Sequence, residues 1–393
     1  MTTLAFLGLS ACVPVGDGGP GTCATAAASD IGVFRPGAAT VAVTGDVLLH
    51  RLIQGDAASR SRHFAPAFDP VAPFLRRADL TIVNLEGPAA RNVLPGGRDA
   101  GGDPPSRFDD RVYSGYPAFN YHPTIADALA GLGVDVVQTA NNHALDRGPL
   151  GVDRTWQALQ GVGLQTTGTV PRGQARPWHS VVTLPMAGGA ARVALLACTY
   201  DVNGLPDPGR QALRCYGRSP SVPSLIAGLQ GDPTIDAVIL LPHWGQEYSA
   251  TPDARQRALA REAINAGAAA VIGSHPHVLQ PIETLQASDG RQGFVAYSLG
   301  NFIASQWALP RRTGAILYFD MIRDAQGRVV AGPPRALPTR VNRYVGSGVT
   351  VAPAQFALDG AQSTAHAAGI LGAERLINPT DLGFAADGSG CAG

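Results

Sequence analysis

The strongest constraint on this chain is a recurring pattern in which short β-type apolar runs end abruptly in polar side chains and are separated by stretches of helical period. Residues 40–44 lead into Asp46, 80–83 into Glu86, 134–139 into Asn142 and His143, 237–241 into His243, and 269–272 into His275 and His277. Near-continuous apolar runs of this length suit strands buried on both faces, and strands alternating with helices specify an α/β fold rather than a helical bundle or a β-sandwich. Further strands are expected at 192–197, 294–297 and 315–320. Helices are expected at 124–132, at 152–159 before Gly161 and Gly163 stop it, and at 253–266, capped by Thr251 with Pro252 in the first turn. The pattern divides the 393 residues into a tether over 1–38, one domain over 39–345 and a partly irregular C-terminal extension over 346–393.

Ligand sites in open α/β sheets form at the carboxyl ends of strands, so these polar residues can converge although they are scattered along the chain. Their types point to a cation. Carboxylate, amide oxygen and imidazole make up a mixed oxygen and nitrogen set that suits Mn, Fe or Zn, and no Ser or Cys stands in a nucleophile elbow. In His275-Pro276-His277 the proline stiffens the turn between two imidazoles. Two ions roughly 3.5–4 Å apart would clamp both oxygens of a displaced ester, with Glu86 or Asp46 as the bridge. Arg51 and Arg147 flank the candidate residues and could hold an anionic substrate bidentately, with a salt bridge to an acidic neighbour as the alternative. Glu247 is a candidate general base or a turn-capping carboxylate. His63, His122, His179 and His366 follow no such pattern and are expected to be ordinary structural residues.

Composition excludes several classes. The chain contains no lysine, so its 30 basic residues are all arginine, and Walker-type phosphate loops, Schiff-base chemistry and pyridoxal phosphate are ruled out. Thirty acidic residues balance them to a formal charge of zero, which leaves no field to hold nucleic acid.

The first twelve residues form a short apolar stretch ending Leu9-Ser10-Ala11-Cys12, with no basic residue before it. That ending resembles a bacterial lipoprotein cleavage box, in which Cys12 would carry the lipid and the segment to Ser29 would tether the domain to a membrane surface. Export to the cell envelope is the expectation. Of the other cysteines, Cys198 and Cys215 flank a Gly/Pro-rich loop and form a candidate disulfide, while Cys23 and Cys391 could tie the two ends. Three connectivities are open, as is a set of unrelated thiols.

Taken in order, Gly45-Asp46 with Arg51, Asn84-Leu85-Glu86, Ala140-Asn141-Asn142-His143 with Asp146 and Gly148, His243-Trp244-Gly245 with Glu247-Tyr248, Gly273-Ser274-His275-Pro276-His277 with Gln280, and Tyr297-Ser298-Leu299-Gly300-Asn301-Phe302 resemble the CapA family. That family is associated with bacterial poly-γ-glutamate capsule synthesis and is related to the calcineurin-like metallophosphatases. The resemblance implies a metallophosphatase-like sandwich of two β-sheets flanked by helices. It implies Asp46, Glu86, Asn142, His243, His275 and His277 as ligands of one or two divalent ions, and His143 as the group that stabilises or protonates a leaving oxygen. Metallophosphatases usually carry Asp-x-His in the first motif. Here the motif reads Asp46-Val47-Leu48, so one ion loses an imidazole, and His50 stands two positions too late to replace it simply.

Three functions are compatible with these residues. The first is metal-assisted hydrolysis or transfer on an anionic polymer such as poly-γ-glutamate at the cell envelope. The second is a metal-independent peptide epimerase that moves a proton between Asp46 and His275 or His277. The third is a non-enzymatic component that assembles with capsule-synthesis proteins.

Overall fold

A computed structural model describes residues 31–175, 177–344 and 348–384. Cys12, Cys23 and Cys391, and with them the expected lipid anchor and the second disulfide, lie outside the described residues.

The chain builds half of one sheet, then a second sheet, then returns to complete the first. Strands β1 (Ala39–Val47), β2 (Leu80–Leu85), β3 (Val136–Gln138) and β4 (Gln165–Thr167) run parallel. The second sheet takes β5 (His179–Leu184), β6 (Ala191–Thr199), β7 (Ala237–His243), β8 (Ala268–Ile272), β9 (Leu279–Gln286) and β10 (Gln292–Leu299), in the order β5-β6-β7-β8-β10-β9. The chain then adds β11 (Asn301–Ile303), β12 (Thr313–Arg323), β13 (Val329–Ala331), β14 (Arg335–Tyr344) and β15 (Gly348–Pro353), which complete the first sheet in the order β15-β14-β12-β1-β2-β3-β4, with β11 beside β1 and β13 beside β12.

The two-residue period of the strands distributes their side chains into three cores. In β7, Ala237, Ile239 and Leu241 face the first sheet, where they meet Val41, Val43, Ile82 and Val136. Val238 and Leu240 face the other way, toward Leu259 and Ile264 of the helix Ala254–Ala266 and Ile226 of the helix Val222–Gln230. The outer face of the first sheet is covered by the helices Arg51–Ala58 and Thr124–Leu132 and by the short turns around Phe68 and Phe74. The result is a mixed α/β sandwich of two sheets flanked by helices.

One expectation needs correction. The helix at 254–266 is capped by Asp253 rather than Thr251: the Asp253 side chain accepts from the amide of Gln256, whose own side chain accepts from the Asp253 amide, so both exposed donors are satisfied reciprocally. The described part of the C-terminal extension joins regular elements through short irregular stretches. β15 pairs with β14 and buries Val349 and Val351, and the helix Gly360–Leu371 buries Ala367 and Leu371 in the core between the sheets. The expected Cys198–Cys215 disulfide is formed, joining the end of β6 to a loop beyond it.

Candidate metal centre

The carboxyl ends of β1, β2, β3, β7 and β8 meet where the two sheets adjoin, and the polar residues that end these runs meet with them. Backbone geometry fixes the approach. At Gly45 a Cβ would stand 1.8 Å from the carbonyl oxygen of Gly300, so only glycine lets β1 run this close to the β10–β11 turn and deliver Asp46. His275 and His277 adopt left-handed conformations with φ of 99° and 58°, unusual for side chains of this size, and the tight turn between β8 and β9 thereby places both imidazoles in the cluster.

Glu86 lies at the centre. Its carboxylate oxygen Oε1 is 3.5 Å from His243 Nε2 and 3.7 Å from His277 Nε2. The ligand atoms of Glu86, His275 and His277 fall within 4.8 Å of one another, and so do those of Asp46, Glu86 and His243. Asp46 Oδ2 is 3.1 Å from His277 Nδ1, and Asn142 Oδ1 is 2.9 Å from His243 Nε2. All six residues expected as ligands thus converge in one buried cluster.

The arrangement fits a cation better than a hydrogen-bonded network. Both carboxylate oxygens of Glu86, and Nδ1 of His275, are buried without a hydrogen-bond partner among the described residues. Buried polar atoms without hydrogen bonds are costly unless something absent from the chain itself satisfies them, and the imidazoles at 3.5 and 3.7 Å give Glu86 neighbouring charge rather than a hydrogen bond. Nitrogen and oxygen ligands held at about 2.0–2.2 Å from one ion stand roughly 3–3.5 Å apart, close to the spacing of Glu86 and its imidazoles. Burial pushes the Glu86 carboxyl up, but the imidazoles of His277 and His243 more than reverse this and hold it far below the usual carboxylate range. Burial lowers the His277 imidazole, and the charges of Glu86 and Asp46 overcome that to raise it to about 9. His275 is driven well below the ordinary histidine value by burial and by its two imidazole neighbours.

A ring of neighbours orients the cluster, and the sequence reading gave these residues no roles. Asn84 donates to Asp46 Oδ1 at 2.7 Å, and Asn141 donates to Asn84 Oδ1 at 3.2 Å. Ser274 Oγ stands 2.9 Å from His243 Nδ1, and Asn301 Oδ1 3.0 Å from His277 Nδ1. Such contacts fix tautomer and ring orientation. Tyr200 and Asn203, just past β6, also reach the cluster. The strand-end rule that found the ligands applies equally to them.

His143 sits beside the cluster, buried edge-on against Phe119 with ring centroids 4.8 Å apart. Its Nδ1 is 2.8 Å from Asp146 Oδ2. Burial lowers this imidazole, but the hydrogen bond and charge of Asp146 outweigh it, and the pKa lies above the ordinary value.

The flanking residues divide. Arg51 is exposed and ion-paired with Asp110. Arg147 does not have the substrate-binding place expected of it: its guanidinium is fully buried, donating to the carbonyls of Val93 and Ala118 and to Ser114 Oγ. It is a structural residue that locks the 93–118 segment. Glu247 is exposed at the rim, where its charge acts on Tyr248 and His277. Leu48, in the position of the missing imidazole, is buried in the outer core, and His50 accepts from the amide of Ser305 at 3.3 Å.

The site therefore defines a two-sheet α/β protein with a buried carboxylate and imidazole centre. Residues 40–306 match the family described as "Bacterial capsule synthesis protein PGA_cap", and the chain belongs to that family. It is 26% identical over 293 residues to "PGA biosynthesis protein CapA" of Bacillus subtilis, covering 74% of this chain and 69% of the relative. It is 26% identical over 287 residues to "Capsule biosynthesis protein CapA" of Bacillus anthracis, covering 71% of this chain and 63% of that one. Among solved structures it is similar to a phosphatase from Mycoplasma pneumoniae, at 13% identity and a TM-score of 0.41, covering 79% of this chain and 98% of that chain.

Proposed function

We propose that the cluster holds one or two divalent ions, Mn, Fe or Zn, and that the protein hydrolyses or transfers an anionic polymer of the poly-γ-glutamate type. The observation that carries this reading is Glu86, a buried carboxylate with no hydrogen bond among the described residues and imidazoles on two sides. A divalent ion in this place would supply Lewis-acid polarisation of the scissile oxygen. Asp46, Glu86, Asn142, His243, His275 and His277 would hold it. His143, oriented through Nδ1 by Asp146, keeps Nε2 available to give a proton to the leaving atom.

Family membership and the printed names of the two Bacillus relatives support a capsule-related polymer. The same reading takes the protein to the cell envelope, anchored through a lipid on Cys12 and working with capsule-synthesis proteins. No helix among the described residues is long and apolar enough to cross a membrane. Epimerisation is less well supported: Asp46 and His277 are in contact at 3.1 Å instead of facing one another across a substrate.

The test is incubation of the purified protein with poly-γ-glutamate and Mn²⁺ or Zn²⁺, scoring new amino termini or a change in chain length. Turnover that His143→Gln abolishes supports the proposal. Metal-dependent polymer binding without any chain cleavage or transfer would move the protein to the assembly role.

A further inference from the structure

The loop that the Cys198–Cys215 disulfide closes touches the centre at two points, and neither contact is explained by the ligand set alone. Tyr200 packs its ring on His275, with centroids 4.6 Å apart, while its amide donates to the carbonyl of His243 at 2.9 Å. Asn203 accepts at Oδ1 from Asn142 Nδ2 at 3.2 Å, and its own Nδ2 lies 3.3 Å from His143 Nδ1. One loop thus contacts three expected ligands and the proposed proton donor.

The loop is held to this position from several sides. The disulfide joins two buried cysteines at its base, where Thr199 donates to the Leu213 carbonyl and Cys215 donates to that of Thr199, each at 2.9 Å. Val202, fully buried, packs with Leu145, Val152 and Ala212. Asn203 itself has φ of 52°, a left-handed conformation that asparagine tolerates and that turns its side chain back onto Asn142.

The chemistry of a carboxamide makes the Asn203 contact consequential. The oxygen end of Asn142 can bind a cation and the NH₂ end cannot. An acceptor on the NH₂ end fixes that the oxygen end faces His243. We propose that the 199–214 loop is the outer shell of the centre, with Asn203 a positioning residue for Asn142 and Tyr200 for His275, and that the closed disulfide sustains the centre's affinity for its ion. The inference rests on the metal reading given above.

Outer-shell partners of metal ligands typically contribute 10–100-fold in metal affinity. The test is Mn²⁺ titration by calorimetry on the full oxidised chain. Asn203→Gly relieves the left-handed backbone and removes the acceptor, whereas Asn203→Asp keeps an acceptor oxygen in place. The expected result is Mn²⁺ affinity at least about tenfold weaker in Asn203→Gly and close to wild type in Asn203→Asp. A backbone role alone would leave Asn203→Gly like wild type, and that outcome overturns the positioning of Asn142. Reduction of the wild-type disulfide by a phosphine, with far-UV dichroism unchanged, is expected to weaken Mn²⁺ binding in the same direction. Unchanged affinity after reduction overturns the disulfide's role. A wild-type chain that binds Mn²⁺, with the affinity unchanged both in Asn203→Gly and on reduction, overturns this inference alone, whereas a wild-type chain that takes up no divalent ion overturns the metal reading beneath it as well.

Discussion

Asp146 Oδ2 lies 2.8 Å from His143 Nδ1 and also accepts the backbone amide of Phe119 at 2.7 Å, so one carboxylate oxygen orients the imidazole and anchors the ring packed against it. An Asp–His pair of this kind holds the ring with Nε2 free. Asp146→Asn preserves the acceptor for Phe119 but removes the charge and weakens the hold on the tautomer. Turnover on the polymer is expected to fall by about 10²-fold, the lower end of a general acid's contribution, while bound metal per chain is unchanged. Steady-state rates with metal content measured on the same sample check this.

Gly45→Ala is expected to be among the most damaging single-methyl additions in the chain. The new Cβ would lie 1.8 Å from the Gly300 carbonyl oxygen, which belongs to backbone and cannot swing aside. A loss of at least about 3 kcal/mol, or failure to fold, is expected from denaturant unfolding.

Arg147→Ala separates structure from substrate binding. The change empties a fully buried site and strands the carbonyls of Val93 and Ala118. Unfolding free energy should drop by roughly 3 kcal/mol or more, with KM of the surviving folded fraction unmoved. A raised KM at undiminished stability would restore the substrate-binding role.

Two histidines outside the ligand set, His50 and His122, contribute to acid stability. Burial, then the charge of His277, lowers His50 to about 4, and burial, then Arg107, lowers His122 to about 4. The unfolded chain takes up these protons near pH 6.5, while the folded chain resists until near pH 4. Their contribution to stability is therefore complete above pH 6.5 and is lost as the pH falls from there toward 4. The denaturation midpoint should decline across that window, and less steeply in His122→Gln. Equal slopes for the two proteins would contradict the assignment.

Much of the cluster was legible because a buried strand that ends in a carboxylate or an imidazole announces where its apolar run stops, as at Asp46, Glu86, His243 and His275, and the fold brings these strand ends together. The helix Thr124–Leu132 was legible to the residue, from its periodicity and the glycine after it. β14 was hidden by Pro338, which lacks the amide that a central strand normally donates, and by three arginines; in the fold Pro338 pairs with Ala315 across β12. Arg147 misled for another reason. Adjacency to Asp146 in sequence says nothing of which way a guanidinium goes, and here it turns into the protein to serve carbonyls.

The account stands on Glu86 gripping a cation, and metal content tests it most directly. Wild type and Glu86→Gln, an exchange of one carboxylate oxygen for NH₂, would be purified without chelator, equilibrated with Mn²⁺, Fe²⁺ or Zn²⁺, dialysed and measured by elemental mass spectrometry. The expected result is at least one tightly held ion per wild-type chain, and its loss from the variant with secondary structure intact. A wild-type chain that retains no ion, or a variant that retains as much as wild type, would contradict the account.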